Sequence, residues 1–100
     1  MQVFKNGKRH FYGGVLLSYR PNNLTNSRVG FAIGKKYSLS AVARNRQKRI
    51  LRSVTEQIYT SILPGFDIVI SYTNRDKVLP YKEALEIISK LLSKADLIKK

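Results

Sequence analysis

The sequence predicts a two-layer α/β fold, because strand-like and helix-like patterns alternate along one short chain. Aromatic and branched residues dominate residues 10–20, and large and small residues alternate at 28–34. Two amphipathic helical segments, 40–59 and the residues after Pro80, flank a nearly continuous apolar run at 66–72. A chain of 100 residues is long enough for one hydrophobic core, so we expect a single domain over residues 1–100.

The first elements follow from turn residues and β-propensity. Residues 1–6 have the character of a helix end, and Gly7 suits the position just after a helix C-terminus. Residues 10–20 predict one strand with a bend or bulge at its Gly-Gly pair. The segment 21–27 is rich in Pro, Asn and Ser, and therefore predicts a turn.

The strand predicted at residues 28–34 has two different faces. Its large apolar side chains, which belong in a core, are Val29, Phe31 and Ile33. The small residues on its other face are Gly30, Ala32 and Gly34. A closely packed helix or an extended ligand can approach such a shallow face, and the sequence leaves these two interpretations open.

The last third of the chain predicts a strand, a loop and a helix. The apolar run at 66–72 suits a strand that is covered on both faces, and a loop follows at 74–76. Pro80 suits the first turn of a helix, in which Glu86 and Lys90 are spaced for an ion pair. The apolar stripe of that helix consists of Ala84, Leu85, Ile88, Leu91, Leu92 and Ala95.

The central helix, residues 40–59 with Ser40 as its N-cap, carries the strongest functional signal. Its aliphatic positions fall within about 100° of arc and predict a stripe that packs on the sheet. These positions are Ala43, Ile50, Leu51, Val54 and Ile58. The rest of the helix surface is polar and basic, and it contains Arg44, Asn45, Arg46, Lys48, Arg49 and Arg52.

The formal net charge of +13 is concentrated in the first sixty residues, which hold twelve basic residues and one acid, Glu56. An ordinary solvated helix face mixes charge signs, because like charges one turn apart are destabilising. Arginine binds phosphate oxygens through two parallel hydrogen bonds, which favours nucleic acid as the partner. A membrane-surface helix needs large apolar side chains that are free to insert, whereas these aliphatic residues are needed by the sheet.

The composition also disfavours several other classes. The chain has no cysteine, which excludes disulfides and thiolate metal sites. No apolar run approaches the roughly 18 to 20 residues of a membrane span, and no signal peptide is evident, so we expect a cytoplasmic protein. His10 is the only histidine, no close acidic pair accompanies the basic surface, and Asp67 is interpreted as a strand-end residue. The sequence therefore predicts no catalytic or metal site of its own.

The run Arg44-Asn-Arg-Gln-Lys-Arg, preceded by Lys35-Lys36 and Ala41-Val42, resembles the RNR signature of the bacterial ribonuclease P protein family. Three further segments resemble the family in order and spacing, and these are Val3-Phe-Lys-Asn-Gly, Arg28-Val-Gly and Phe66-Asp-Ile-Val-Ile. This sequence departs from the family in the Tyr37–Ser40 stretch, which replaces the common glycine after the lysine pair, and in lacking the longer basic segment before Val3.

The resemblance implies an α/β sandwich of αβββαβα-like order with a left-handed βαβ crossover, similar to a ribosomal-protein domain. It also implies a non-catalytic subunit of an endoribonuclease that binds the catalytic ribonuclease P RNA and precursor tRNA. A cleft between the first helix, the sheet and the signature helix would hold the single-stranded 5′ leader. The RNA subunit would perform the chemistry with Mg²⁺ that it holds itself, and no further protein partner is expected.

The resemblance and the helical wheel together divide the site residues between two RNAs. We expect the residues facing the RNA subunit to be Lys35, Lys36, Arg46, Arg49 and Arg52. We expect those facing the leader to be Phe4, Arg44, Asn45 and Lys48. Phe4 would stack on a leader base or else pack in the core, and Asn45 would help to place a hydrated metal ion beside the phosphates.

Two alternatives from other classes stay open at this point. A small basic ribosomal protein would bind ribosomal RNA structurally. A DNA-binding module would prefer duplex DNA to a folded RNA. Neither alternative changes the prediction that the central helix presents its basic surface to phosphates.

Overall fold

The computed structural model describes residues 7–75 and 77–99, which form a four-stranded sheet and two α-helices. The strands are β1 (Lys8–Tyr12), β2 (Val15–Pro21), β3 (Arg28–Ala32) and β4 (Phe66–Tyr72). The helices are α1 (Ala41–Ile58), which a short 3-10 turn follows, and α2 (Tyr81–Lys94). The helix end predicted at residues 1–6 lies outside the described residues, as does Asp76 of the predicted loop.

The segment predicted as one bent strand is in fact a hairpin of two strands. β1 and β2 pair antiparallel, and Gly13 and Gly14 between them have φ values of 60° and 83°. Two-residue turns with positive φ at both positions match the twist of the flanking strands, and glycine adopts them without steric cost. The Gly-Gly pair therefore reverses the chain instead of bending it, and the single-strand prediction is wrong.

The sheet has the order β1-β2-β4-β3, so β4 lies between two neighbours. It pairs antiparallel with β2 and parallel with β3. Ile68, Val69 and Ile70 are successive buried residues of β4, which confirms the prediction of a strand covered on both faces. Because α1 connects the parallel neighbours β3 and β4, the chain forms the crossover that was expected. The left-handed sense of that crossover stays a prediction.

The two faces of the sheet differ in what they carry. Tyr12, Leu17 and Ile70 lie on the face that packs against both helices, which we call the helix face. The opposite face carries small side chains on β2, β3 and β4, and we call these positions the small-residue face. They are Ser18, Gly30, Ala32 and Ser71. The alternation predicted for β3 is therefore confirmed, with half-buried Val29 and Phe31 on the helix face.

The second helix confirms its predicted apolar stripe but not its predicted ion pair. Ala84, Ile88, Leu91 and Leu92 are buried within it. The helix begins at Tyr81, one residue later than predicted, with Pro80 in the N-cap position. The Lys90 Nζ donates to the Tyr12 hydroxyl at 3.3 Å instead of pairing with Glu86. The hydrogen bond to Tyr12 of β1 replaces the predicted ion pair, because an exposed ion pair contributes little to stability in water.

Asp67, at the start of β4, links this strand to the edge strand β3 and to the turn before β3. Its two carboxylate oxygens each accept a hydrogen bond of 2.8 Å from the Arg28 guanidinium of β3. The Asn22 amide donates a further hydrogen bond of 3.0 Å to the same carboxylate. The hydrogen bonds from Arg28 and Asn22 lower the pKa of Asp67 to about 2. Asp67 is therefore a structural strand-end residue, as the sequence indicated.

The low pKa of Asp67 predicts a loss of stability in acid. Because the folded-state pKa of about 2 lies below the ordinary value of 3.8, the unfolded chain takes up the proton first. The free energy of unfolding should therefore fall as the pH drops from about 4 toward 2, and less steeply in D67N. Chemical denaturation over this range measures the slope, with E86Q as a control for loss of an exposed carboxylate. Equal slopes for the wild type and D67N would contradict the prediction.

Candidate nucleic-acid interface

The basic helix begins where the sequence predicted. The Ser40 hydroxyl accepts a hydrogen bond of 3.2 Å from the backbone N–H of Ala43, which confirms its role as N-cap. The Ser40 N–H in turn donates to the Ser38 hydroxyl at 3.1 Å. The end of the turn after β3 is thus tied to the first turn of α1, so the two carry their charged side chains in a fixed relation.

The aliphatic stripe of α1 packs on the sheet as predicted. Leu51 and Val54 are fully buried, and Ala43, Ile50 and Ile58 are partly buried against the same core. This packing determines which side of α1 faces solvent. The basic residues are left on the remaining surface because the helix has no other apolar side to bury.

A buried polar residue that the sequence analysis missed fixes the rotation of α1. Gln47 is 1% exposed, and its Oε1 accepts hydrogen bonds from the Leu79 N–H at 2.9 Å and the Tyr37 hydroxyl at 3.2 Å. Its Nε2 donates to the Leu79 carbonyl at 3.1 Å. Gln47 lies four residues after Ala43 and four before Leu51, within the apolar stripe. This helical spacing could have predicted from the sequence that Gln47 is buried, but the basic residues on both sides of it obscured the pattern.

Most of the predicted contact residues form one exposed, positively charged surface. We call this the basic surface, and its exposed members are Lys35, Lys36, Asn45, Arg46, Arg49 and Arg52. Among the described residues, the one salt bridge joins Arg28 to Asp67. No carboxylate of the described chain therefore lies within ion-pairing distance of the basic surface, and its charges are available to an external polyanion.

Arg44 differs from the other arginines of α1. It is half-buried, and its Nη1 donates a hydrogen bond of 2.9 Å to the Ser38 carbonyl. Part of its hydrogen-bonding capacity therefore holds the turn that precedes the helix. Arg44 is therefore less free to form a two-pronged phosphate contact than the exposed arginines.

Lys48 and Arg52 lie along β3 rather than on opposite sides of the helix. Lys48 lines a depression with residues 31–34, and Arg52 lines the adjoining groove with Val29 and Phe31. Both residues therefore border β3, and the assignment of Lys48 to the leader and Arg52 to the RNA subunit stays a prediction. Side chains four residues apart project from successive turns of the same helix edge, and that edge borders β3.

Two further expectations concern positions and chemistry outside this surface. Phe4 lies outside the described residues. Within residues 7–75 and 77–99, no group of three or more His, Cys, Asp or Glu side chains is arranged to hold a metal ion. In the same residues, no helix has the length and apolar character needed to cross a bilayer.

Comparisons with known proteins point to one family. The family model for Ribonuclease P matches residues 1–96. The ribonuclease P protein component of Synechocystis sp. is 33% identical over 97 residues, which cover 96% of this chain and 78% of the relative. The corresponding protein of Acholeplasma laidlawii is 36% identical over 98 residues, which cover 98% of this chain and 84% of the relative.

Solved structures show the same likeness. The RNase P protein from Thermotoga maritima superimposes with a TM-score of 0.80 at 28% identity, covering 92% of this chain and 86% of that one. The RNase P protein of Staphylococcus aureus has a TM-score of 0.79 at 21% identity, covering 97% of this chain and 88% of that one. The second likeness shows the fold alone.

The Gln47 hydrogen bonds predict a large cost for an apolar replacement. Gln47→Leu would leave the Tyr37 hydroxyl and the Leu79 peptide groups buried without this partner. We expect the free energy of unfolding to fall by about 2–4 kcal/mol in urea denaturation. Gln57→Leu, at an exposed position of the same helix, should change it by less than about 0.5 kcal/mol. Similar losses in both variants would contradict the assigned role.

Proposed function

Because the chain belongs to the bacterial ribonuclease P protein family, we propose that its basic surface binds the catalytic RNA and that the region beside β3 binds the precursor-tRNA leader. The protein is a component of ribonuclease P, and it acts with the RNA subunit as a non-catalytic part of an endoribonuclease. Its role is to assist removal of the leader, which produces the mature 5′ end of tRNA.

The observation that carries this proposal is the orientation of α1. Its aliphatic stripe is used by the core, and Arg46, Arg49 and Arg52 are exposed without a carboxylate partner in the described chain. Lys35 and Lys36 extend the same positive charge from the preceding turn. Contacts of this kind hold a nucleic acid by its phosphates without reading its sequence. Double-stranded RNA suits them, because side chains read its deep major groove poorly.

The surroundings of Lys48 support leader binding. Lys48 is half-buried beside Ala32 and Gly34, where β3 carries no bulky side chain on one face. An extended single strand can approach such a backbone closely while its phosphates contact a lysine. Asn45 and Arg44 lie within one turn of Lys48 on α1. We assign these three residues to the leader because of this arrangement, and Phe4 because of its match to the family.

The chemistry of the reaction is assigned to the RNA partner. The described residues offer no carboxylate or histidine cluster that suits Mg²⁺, so we derive no step through a metal held by this chain. Mg²⁺ bound mainly by the RNA would activate water and stabilise charge at the phosphodiester. Asn45 would contribute through the hydration shell of such an ion. The proposed complex works in the cytoplasm and needs no further protein subunit.

Reconstitution tests the proposed function against its alternatives. Adding the protein to a bacterial ribonuclease P RNA at low Mg²⁺ should raise the rate of precursor-tRNA cleavage, because protein cations replace part of the required ionic screening. An R46Q/R49Q variant should raise it less at the same protein concentration. A structural ribosomal protein would leave the rate unchanged, and a DNA-binding module would be displaced by duplex DNA.

A change at Lys48 tests the proposed leader site. Lys48→Ala removes one phosphate contact, so we expect weaker binding of leader-containing precursor by the assembled enzyme. The slope of log affinity against log salt should become shallower by about 0.7. Lys82→Ala, an exposed change in the first turn of α2, serves as the control and should keep the wild-type slope. An unchanged slope for Lys48→Ala, or an equal loss with leaderless tRNA, would contradict the placement.

A further inference from the structure

Two lysines of α2 lie over one tyrosine of the edge strand β1. The Nζ atoms of Lys90 and Lys94 are 5.1 Å and 5.3 Å from the centre of the Tyr12 ring. The Lys90 Nζ also donates a hydrogen bond to the Tyr12 hydroxyl. Both ammonium groups are therefore held near a common point by an aromatic ring, whose face attracts cations.

These two charges are close together and lack a compensating acid. Lys90 and Lys94 occupy successive turns of α2, where like charges are destabilising. Within the described part of the chain, no carboxylate lies within ion-pairing distance of either side chain. Both lysines are exposed, so an external anion can reach them. The arrangement resembles the basic surface of α1 in this one respect: it concentrates positive charge without internal neutralisation.

Further along β1, the same face of the strand carries another basic side chain. Lys8 and His10 lie on the same face of the strand as Tyr12, because side chains alternate along a strand. Lys8 is exposed, and the His10 ring stacks on Tyr19 with their planes 8° apart. We call Lys8, Tyr12, Lys90 and Lys94 the β1–α2 corner. It has three exposed ammonium groups: Lys90 and Lys94 contact the Tyr12 ring, and Lys8 lies about 13 Å along β1 from Tyr12.

The β1–α2 corner is separate from the basic surface. β1 and β3 are the two edge strands, and α1 contacts β3 whereas α2 contacts β1. Three strand spacings, about 14 Å, divide the two edges. A partner that contacts both regions must therefore be larger than a single phosphate group, as a folded RNA is.

We propose that the β1–α2 corner is a second RNA-binding site, which contacts backbone phosphates. The inference rests on the proposed function in one respect, since it takes RNA to be the partner of this chain. Lysine provides mobile point charges that suit phosphate contacts without base specificity. An anionic membrane is the less suitable occupant, because Tyr12 and His10 are half-buried by packing and the exposed apolar residue of β1, Phe11, lies on the opposite face of the strand.

The backbone phosphates have two possible sources, the ribonuclease P RNA and the precursor tRNA. Two binding measurements separate them. The first measures the affinity of the protein for the RNA subunit alone. The second measures the affinity of precursor tRNA, with and without its leader, for holoenzyme assembled at saturating protein. A corner that contacts the RNA subunit affects the first measurement, and a corner that contacts the tRNA body affects the second regardless of the leader.

The variant K90Q/K94Q tests the proposal, because glutamine keeps much of each side chain but removes its charge. We expect affinity to fall about three- to tenfold at roughly 0.15 M salt in one of the two measurements. The slope of log affinity against log salt should become shallower by about 1–2. K82Q/K99Q removes two exposed charges from the same half of the chain, and it should leave both quantities near their wild-type values. K90R/K94R should restore binding.

Each other outcome counts against the inference. Equal losses in K90Q/K94Q and K82Q/K99Q would show that net charge alone is responsible. Wild-type affinities and slopes for K90Q/K94Q in both measurements would show that the corner does not contact RNA. If the wild-type protein itself fails to bind the RNA subunit, the proposed function fails instead. Should K90Q/K94Q be less folded by circular dichroism, the single variants K90Q and K94Q are compared with K82Q.

Discussion

The buried amide of Gln47 determines how α1 can present its charges. Three hydrogen bonds tie it to Tyr37 before the helix and to Leu79 before α2. The aliphatic stripe alone constrains the rotation of a helix on a sheet less tightly, because dispersion contacts have little directionality. Directional bonds to a buried amide remove that freedom. The direction in which Arg46 and Arg49 point therefore follows from a buried residue between them in the sequence.

Asp67 forms an ion pair within the protein, whereas most of the cations have no carboxylate partner in the described chain. Asp67 joins two strands and the preceding turn through Arg28 and Asn22, so it is used inside the protein. The cations of α1, the turn before it and the β1–α2 corner are left without such partners in the described chain. A domain with a formal net charge of +13 repels itself, and an RNA partner relieves this repulsion. Stability and RNA binding are thus coupled through the same charges.

Predictions from the sequence succeeded where a single periodic pattern dominated. The stripe from Ala43 to Ile58 and the stripe of α2 needed only helical spacing, and both are present. These predictions failed where one local pattern was compatible with two different structures. Gly13-Gly14 permits a bulge or a reversal, and only the pairing of β1 with β2 selects the reversal. Lys90 had a partner four residues away, but a strand 78 residues distant in sequence supplied a better one.

The sequence by itself determined the alternation of helices and strands, the basic character of one helix and the family to which the RNR run belongs. These are properties of local spacing and composition, which neighbouring residues decide. Only the tertiary structure decided that Lys48 and Arg52 both border β3, that Gln47 is buried, and that Tyr12 lies beneath two lysines. Each of these depends on contacts between segments far apart in the chain, and local periodicity carries no information about such contacts.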